Sequence, residues 1–267
     1  MANLFFPQLS SGAVVQYPIK KINISRSVEN ILPDGSVILY ADPSGWMLNW
    51  ELTYSELNNS DIALLQTHFA NCAGPFHAFT FIDPTDNMLV SSEDLTNAAW
   101  LNQGVMPVSG SAADPIGGTA AFTVTNTTQA PQSITQTLNV PAGYYYCLSL
   151  YACSSAQTSL TLTRQGPNVS QADVVSVGPT WNRFVSTGRL SDSGIGFTAG
   201  FALPAGEQVQ IYGVQLEAQP APSRYRATAQ SGGVYPSAHW VSDQLTVIAQ
   251  GVNQFSSSFS ISTAIIG

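Results

Sequence analysis

The chain has 267 residues, more than the usual single domain, so two domains, or one domain carrying a large insertion, are expected. Only 9% of its residues are charged, against about 25% in ordinary soluble domains, while Ser, Thr, Asn, Gln, Gly and Pro abound, a composition that favours β-rich, turn-rich architecture. The formal net charge is −8 and Lys20 and Lys21 are the only lysines, which excludes the basic patch that nucleic-acid binding needs.

The N-terminal run MANLFFPQLSSG has no basic start followed by an apolar stretch, and no segment reaches the eighteen or so apolar residues of a membrane span. Synthesis in the cytoplasm with no membrane span is therefore expected. Lys20–Ser27 and Ser36–Tyr40 flank Pro33-Asp34-Gly35, a turn signal that predicts a β-hairpin. In Trp46–Tyr54, Trp46, Leu48, Trp50, Leu52 and Tyr54 alternate with Met47, Asn49, Glu51 and Thr53, which predicts a strand with one core face and one wet face. Ser60-Asp61 opens a helix in which Ser60 caps and Ile62, Leu65, Phe69 and Cys72 recur at helical spacing before Gly74. An aromatic strand follows over Phe76–Ile82 and runs into a turn at Asp83-Pro84.

From about Leu95 the style changes to Thr/Ser-rich alternation: Ala121–Thr125, Ser133–Leu138, Tyr144–Cys153, Ser159–Thr163, Arg183–Ser186 and Gln208–Gln215. Short strands at this spacing predict a β-sandwich. The chain changes again near Pro220–Ser223, and Trp240–Ala249 and Phe255–Ile266 read once more as strands. Forty residues make a poor independent domain, so this tail is expected to pair with the first segment. The resulting organisation is a split domain over 1–92 and 228–267, with a sandwich inserted at 93–227.

The sequence shows no nucleophile elbow, P-loop, H-E-x-x-H or C-x-x-C pattern. Gly194–Ala199 has a dinucleotide-like glycine spacing but no following helix. His68, His77 and His239 are too few and scattered for a metal site. Asp83 and Asp86 fit a capped turn better than a cation site or an acid/base pair. Cys147 and Cys153, six positions apart on one extended strand, lie roughly 20 Å apart and cannot pair; with Cys72 they read as buried thiols. No cofactor and no catalytic residues are expected. Sugar recognition needs flat aromatic faces beside amides or hydroxyls. In Gly143–Cys153 the alternation sets Tyr146, Leu148, Leu150 and Ala152 on a core face and Tyr145, Cys147, Ser149, Tyr151 and Cys153 on the other. Tyr151, with Tyr145 and Ser149 beside it, and Trp181 and Trp100 are the candidate carbohydrate-binding residues.

Two stretches carry a family resemblance. The Phe6-Pro7-Gln8-Leu9 run, the Trp46–Tyr54 strand, the Leu64–Phe69 helix and the F-x-x-F-x-F-x-D-P-x-D-N pattern of Phe76–Asn87 resemble tailed-phage distal tail or minor tail proteins, including those of gene transfer agents. Gly232–Pro236 with Trp240–Val247 is similar to the closing strands of that domain. The middle segment resembles the carbohydrate-binding-type sandwich found inside many phage structural proteins. Its marks are Asn97–Trp100, Ser133–Gln136, Tyr146–Tyr151, Thr180–Arg183 and, most specifically, Tyr212–Ala218 followed by Tyr225–Thr228.

The resemblance implies a mainly β chain: a split, β-rich tail-hub domain with one helix and an inserted jelly-roll-like β-sandwich. It also implies a homo-oligomeric, usually hexameric, ring in the virion tail that joins the tail tube to tip or baseplate hub proteins. The inserted modules would project outward toward host-surface polysaccharide. The alternatives are a receptor-binding tail adhesin and a glycan-active hydrolase, the latter needing two carboxylates at glycosidase spacing across a cleft.

Overall fold

The computed structural model describes residues 4–265; Ile266, the expected end of the last strand, lies outside the described residues. In chain order the elements are β1 (Lys20–Ile31), β2 (Val37–Leu57), α1 (Asn59–Asn71), β3 (Phe79–Ile82), β4 (Leu101–Asn102), β5 (Val108–Ala112), β6 (Ala121–Thr125), β7 (Gln132–Pro141) and β8 (Tyr145–Cys153). They continue with β9 (Thr158–Gln165), β10 (Ser170–Val177), β11 (Asn182–Arg189), β12 (Ile195–Leu203), β13 (Gln208–Glu217), β14 (Val234–Trp240), β15 (Val247–Gly251) and β16 (Gln254–Ala264). The fold is mainly β. The chain divides into two compact units, Met1–Phe81 with Tyr235–Gly267, and Ile82–Val234. Residues 82–92 and 228–234, which the sequence grouped with the first segment, fall in the second unit.

The first unit is a sheet of order β1-β2-β16-β14-β3, with β15 also on β16. Both ends of the chain therefore share one sheet. The expected turn joins β1 to β2: Gly35 has φ +83°, a conformation glycine adopts without strain, and Asp34 Oδ1 accepts from the Ser36 N–H at 2.9 Å. β1 runs further than expected, to Ile31, and β2 runs from Val37 to Leu57, joining in one strand the stretches expected separately at Ser36–Tyr40 and Trp46–Tyr54. β2 serves two partners: Val37–Asp42 pairs with β1 alone, Met47–Glu51 with both β1 and β16, and the rest of the strand to Leu57 with β16.

Leu48, Trp50, Leu52 and Tyr54 are buried, as the alternation predicts. Trp46 is not: it is 46% exposed, because the ladder with β16 ends at Met47 and Ala264 and Trp46 stands past the covered part of the sheet. The helix cap also differs from expectation. Asn58, in extended backbone, caps α1 by accepting from the Asp61 N–H at 2.9 Å, while Ser60 is already inside the first turn and donates its hydroxyl to Asn58 Oδ1 at 2.6 Å. The buried helical face is Ile62, Leu65 and His68, with Cys72 just beyond it, and Phe69 is only half-buried.

His68 packs edge-on against Phe79, with centroids 4.7 Å apart, and its Nδ1 accepts from Trp240 Nε1 at 3.3 Å. Burial in this aromatic core lowers its pKa to about 4. The strand expected over Trp240–Ala249 is interrupted: β14 ends at Trp240, and β15 begins only at Val247.

The second unit is a β-sandwich of two five-stranded sheets, β10-β9-β12-β7-β4 and β11-β8-β13-β6-β5. Tyr146 of β8 meets Phe197 of β12 across the interior at 4.2 Å between centroids. Arg164 of β9, only 3% exposed, also crosses between sheets, donating from Nε to Ser186 Oγ at 2.7 Å and from Nη1 to Gly188 O at 2.9 Å. Its Nη2 lies 3.5 Å from Asp173 Oδ2.

Gly194–Ala199 proves to lead into β12. Farther along that strand a Cβ on Gly200 would lie 2.1 Å from the Ile134 carbonyl oxygen, so close backbone approach to β7 requires glycine there. Aspartates clip the loops. Asp192 accepts from the N–H groups of Asn168 (2.7 Å), Val169 (3.1 Å) and Gly194 (2.8 Å), and Asp114 from those of Ile116, Gly118 and Ala120. Asp83 accepts from the Thr85 N–H at 2.8 Å, the capped turn expected of Asp83-Pro84. The two ends of the unit are tied together: the Asp83 N–H donates to Gly233 O, and the Gly233 N–H to Asn87 O, both at 2.8 Å.

Candidate functional site

The face of β11-β8-β13 that points away from the sandwich interior is set by register. Arg183 pairs with Tyr151, and Tyr151 with Tyr212; Gln210 pairs with Cys153, Gln215 with Ser149 and Glu217 with Cys147. Directly opposed residues share a face, so all of these line the outer side. Tyr146, Leu148, Leu150 and Ala152 are fully buried on the inner side, as the alternation predicts. The outer side is also largely covered: Cys147 and Ser149 are fully buried and Cys153 is 7% exposed. All three cysteines are free and buried, and burial pushes the Cys147 thiol up to about 12.

The cover is the unit's own segment 219–228, which runs back over the face. Arg183 Nη1 donates to Ser223 O at 2.6 Å and Thr187 Oγ1 to Pro220 O at 2.9 Å. Glu217 accepts from the Ser223 N–H at 3.0 Å and from Gln219 Nε2 at 2.8 Å. Gln215 Oε1 accepts from the Arg226 N–H at 2.8 Å. Tyr225 meets Tyr212 edge-on at 5.2 Å, its hydroxyl 2.9 Å from Ser92 Oγ. The Tyr212–Ala218 and Tyr225–Thr228 marks thus act together as a strap and its anchors. A carboxylate, an amide and a guanidinium fix a segment that has no strand ladder of its own.

Ser149 lies under this strap and accepts from Arg183 Nη2 at 2.9 Å. Tyr151 is half-buried, with the Arg183 guanidinium 5.5 Å from its ring centroid and Tyr212 6.0 Å away. Tyr145 is half-buried at the far end of β8, and Trp181 is half-buried just before β11. Trp100 lies apart from these residues in sequence and is packed away at 5% exposure, its Nε1 donating to Ser91 O at 3.0 Å. Of the five candidates, register therefore joins Tyr151, Ser149 and Tyr145 on one face.

Beyond the strap the same face opens into a cleft of 230 Å³ lined by Cys153, Ser154, Ser155, Pro179, Gln208, Val209 and Gln210. The Ser154 hydroxyl donates to Gln208 O at 2.8 Å, and the Cys153 thiol to Gln210 Oε1 at 3.3 Å. The lining is amide, hydroxyl, thiol, proline and valine, without an ionised group, and its volume is below the ~300 Å³ of ordinary small-molecule pockets. Gln208 and Gln210 were not among the residues the sequence singled out. Their place becomes visible only when the β8–β13 register sets Gln210 beside Cys153.

A second cleft, of 450 Å³, is lined by Ser91, Glu93, Asp94, Asn97 and residues 227–230. Glu93 and Asp94 are adjacent in the chain, and Asp94 Oδ1 accepts from the Thr96 N–H at 3.0 Å. A pair of opposed carboxylates of the glycosidase kind needs two acids flanking a substrate. The other acids described above clip loops, bridge strands or hold the strap. Among the described residues no three His, Cys, Asp or Glu side chains cluster as metal ligands, and no helix is long and apolar enough to cross a membrane.

Fold and site together define a mainly β protein with a jelly-roll-like sandwich whose outer face is partly strapped and partly open. No family model matches the sequence, and no curated protein matches it. Among solved structures, the chain is similar to the CBM22-1 xylan-binding domain of Paenibacillus barcinonensis Xyn10C, with 18% identity and TM-score 0.40 over 49% of this chain and 94% of that one. A xylan-binding domain from CBM 22 gives 19% and 0.43 over 53% and 100%. The enzymatically active domain of bacteriophage CBA120 tailspike protein 4 gives 17% and 0.40 over 51% of this chain and 22% of that one.

Proposed function

We propose that the chain is a non-catalytic structural protein of a phage or phage-like tail tip. In this reading the first unit assembles into a ring joining the tail tube to tip or baseplate hub proteins. The sandwich is an accessory module that binds host-surface polysaccharide weakly through the open part of its outer face. The observation that carries the reading is the way the sandwich is inserted: a complete, self-cored unit lies within the chain of another, its two ends tied at Asp83 and Gly233, so it adds a surface without interrupting the β2–β16 pairing. The resemblance of Phe6–Leu9, Trp46–Tyr54 and Phe76–Asn87 to distal tail proteins supports the same assignment.

The 230 Å³ cleft is small and uncharged, which suits a neutral sugar held by amide and hydroxyl contacts at the Cys153 end of β8. In this reading single-site affinity in so small a cleft is weak, and several copies in one ring multiply it through effective concentration. Affinity electrophoresis of the full chain through gels containing bacterial surface polysaccharides tests the glycan half of the reading. Retardation by at least one polysaccharide, reduced by Gln210→Ala, is the expected result. Unretarded migration in every gel, with the chain folded, would remove the glycan role and leave the sandwich as a structural decoration.

A further inference from the structure

The 450 Å³ cleft of the second unit takes no part in the glycan contact proposed for the outer face of β8. Its volume falls within the ~300–1,000 Å³ of ordinary ligand pockets and far exceeds the ~30 Å³ share of a single water. The two walls, the turn 91–97 and the stretch 227–230, are tied to each other. The Ser91 N–H donates to Ala229 O at 2.6 Å and the Ser92 N–H to Thr228 O at 3.1 Å, while the Ser91 hydroxyl reaches Ala229 O at 3.2 Å. From behind, Trp100 Nε1 donates to Ser91 O at 3.0 Å. Ser91 itself has φ +49°, a left-handed backbone that serine keeps only where its surroundings hold it. The cleft is therefore preformed in the folded unit.

Its chemistry is one-sided. Glu93 and Asp94 both stand on the first wall, and neither has a salt-bridge partner among the described residues. Asp94 spends Oδ1 on the Thr96 N–H and hydroxyl, which leaves Oδ2 open. The rest of the lining is uncharged: Ser91 and Thr228 bring hydroxyls, and Asn97 and Gln230 bring amides. Asn97 Oδ1 accepts from the Ala99 N–H at 3.0 Å, so its NH2 is left to donate. Such a lining fits a ligand with a positive charge on a body rich in hydroxyls, because a charge-assisted hydrogen bond to each carboxylate is the strongest contact on offer. A bare metal ion fits poorly, since no three His, Cys, Asp or Glu side chains cluster among the described residues. A lysine side chain fits poorly too, since its apolar stem would lie against hydroxyls and amides.

We propose that this cleft is a second saccharide site of the sandwich, selective for an amino sugar. Glu93 and Asp94 take the ammonium group, and Ser91, Asn97, Thr228 and Gln230 take the ring hydroxyls. The proposal rests on the reading of the sandwich as a glycan-binding module and adds a sugar class that the uncharged 230 Å³ cleft has no group to select.

Saturation-transfer NMR titration of the full chain tests it, with glucosamine, N-acetylglucosamine, glucose and lysine amide as probes in physiological salt. Glucosamine is expected to bind, and the other three to bind at least about tenfold more weakly, the worth of one charge-assisted hydrogen bond. Glu93→Gln changes an exposed side chain, keeps the wild-type urea midpoint and should weaken glucosamine by a similar factor. Glu207→Gln, which removes the same charge from the turn before β13, should bind glucosamine as wild type does. Glucose or N-acetylglucosamine matching glucosamine, or Glu93→Gln matching wild type, would overturn the role of the carboxylates and with it the proposal. Lysine amide matching glucosamine would overturn the sugar and leave a site for any cation. Silence from all four probes would overturn the site while leaving the glycan role of the sandwich to the Gln210-dependent gel retardation.

Discussion

β8 and the distal end of β2 are both strands rich in apolar residues, and the chain treats them in opposite ways. In β8 the inner side chains meet the facing sheet and the outer ones lie under the unit's own strap, so that Cys147–Leu150 are fully buried. In β2, Val37–Tyr40 meets only β1 and remains exposed on both faces. Apolar composition expresses a demand for cover, and the chain meets that demand internally in one place and leaves it open in the other. The open demand falls in the first unit, and the met one in the unit with the clefts.

Substitution should separate the two strands most clearly. Leu150→Ala is expected to lower the urea stability of the sandwich by about 2–5 kcal/mol through lost burial and a residual cavity, whereas Leu39→Ala in the monomer should stay within about 0.5 kcal/mol.

Acid should separate the two units. His68 is buried neutral with its pKa lowered to about 4 from the usual 6.5, so the unfolded chain takes up its proton first. The first unit is then fully stable above pH 6.5 and loses about 3 kcal/mol as pH falls from 6.5 to 4. The sandwich relies on Asp192, held low mainly by the Asn168 and Gly194 N–H groups, and on Asp173, held low mainly by the Ser186 hydroxyl. Its stability is present above the usual 3.8 and is lost only as pH falls below that. Unfolding followed by tryptophan fluorescence at pH 7, 5.5 and 4.5 should show the first unit weakening alone, and His68→Leu should flatten its profile.

Removing a strap anchor tests how the outer face of β8 is covered. Glu217→Ala leaves the Ser223 N–H and the Gln219 amide without their acceptor and is expected to cost about 1–3 kcal/mol, read as faster proteolysis within 219–226. The smallest effect is expected at the helix cap, where Asn58→Ala should lower the first unit's stability by about 1 kcal/mol in the same urea titration.

Period-2 alternation made β2 and β8 legible in the sequence, down to the inner and outer faces of Tyr145–Cys153. The Pro33-Asp34-Gly35 turn and the helix after it were legible for the same local reasons. β10 and β12 were not: Ser170–Val177 is a half-exposed edge strand without an apolar face, and β12 is interrupted by two glycines, Gly196 at φ +114° and Gly200 where the backbone of β7 approaches closely. The cap at Asn58 was displaced by a neighbouring Ser60 with the same chemistry. The candidate site was legible as a face but not in its coverage. The strap that buries Ser149 and leaves the Gln208 and Gln210 cleft open depends on register between strands some sixty residues apart, which no local pattern records.

Hydrogen exchange in the dilute chain tests most directly whether one strand is covered from within and the other is not. The expected result is that residues 145–153 stay protected while residues 26–42 exchange freely. Equal protection of the two stretches would contradict it.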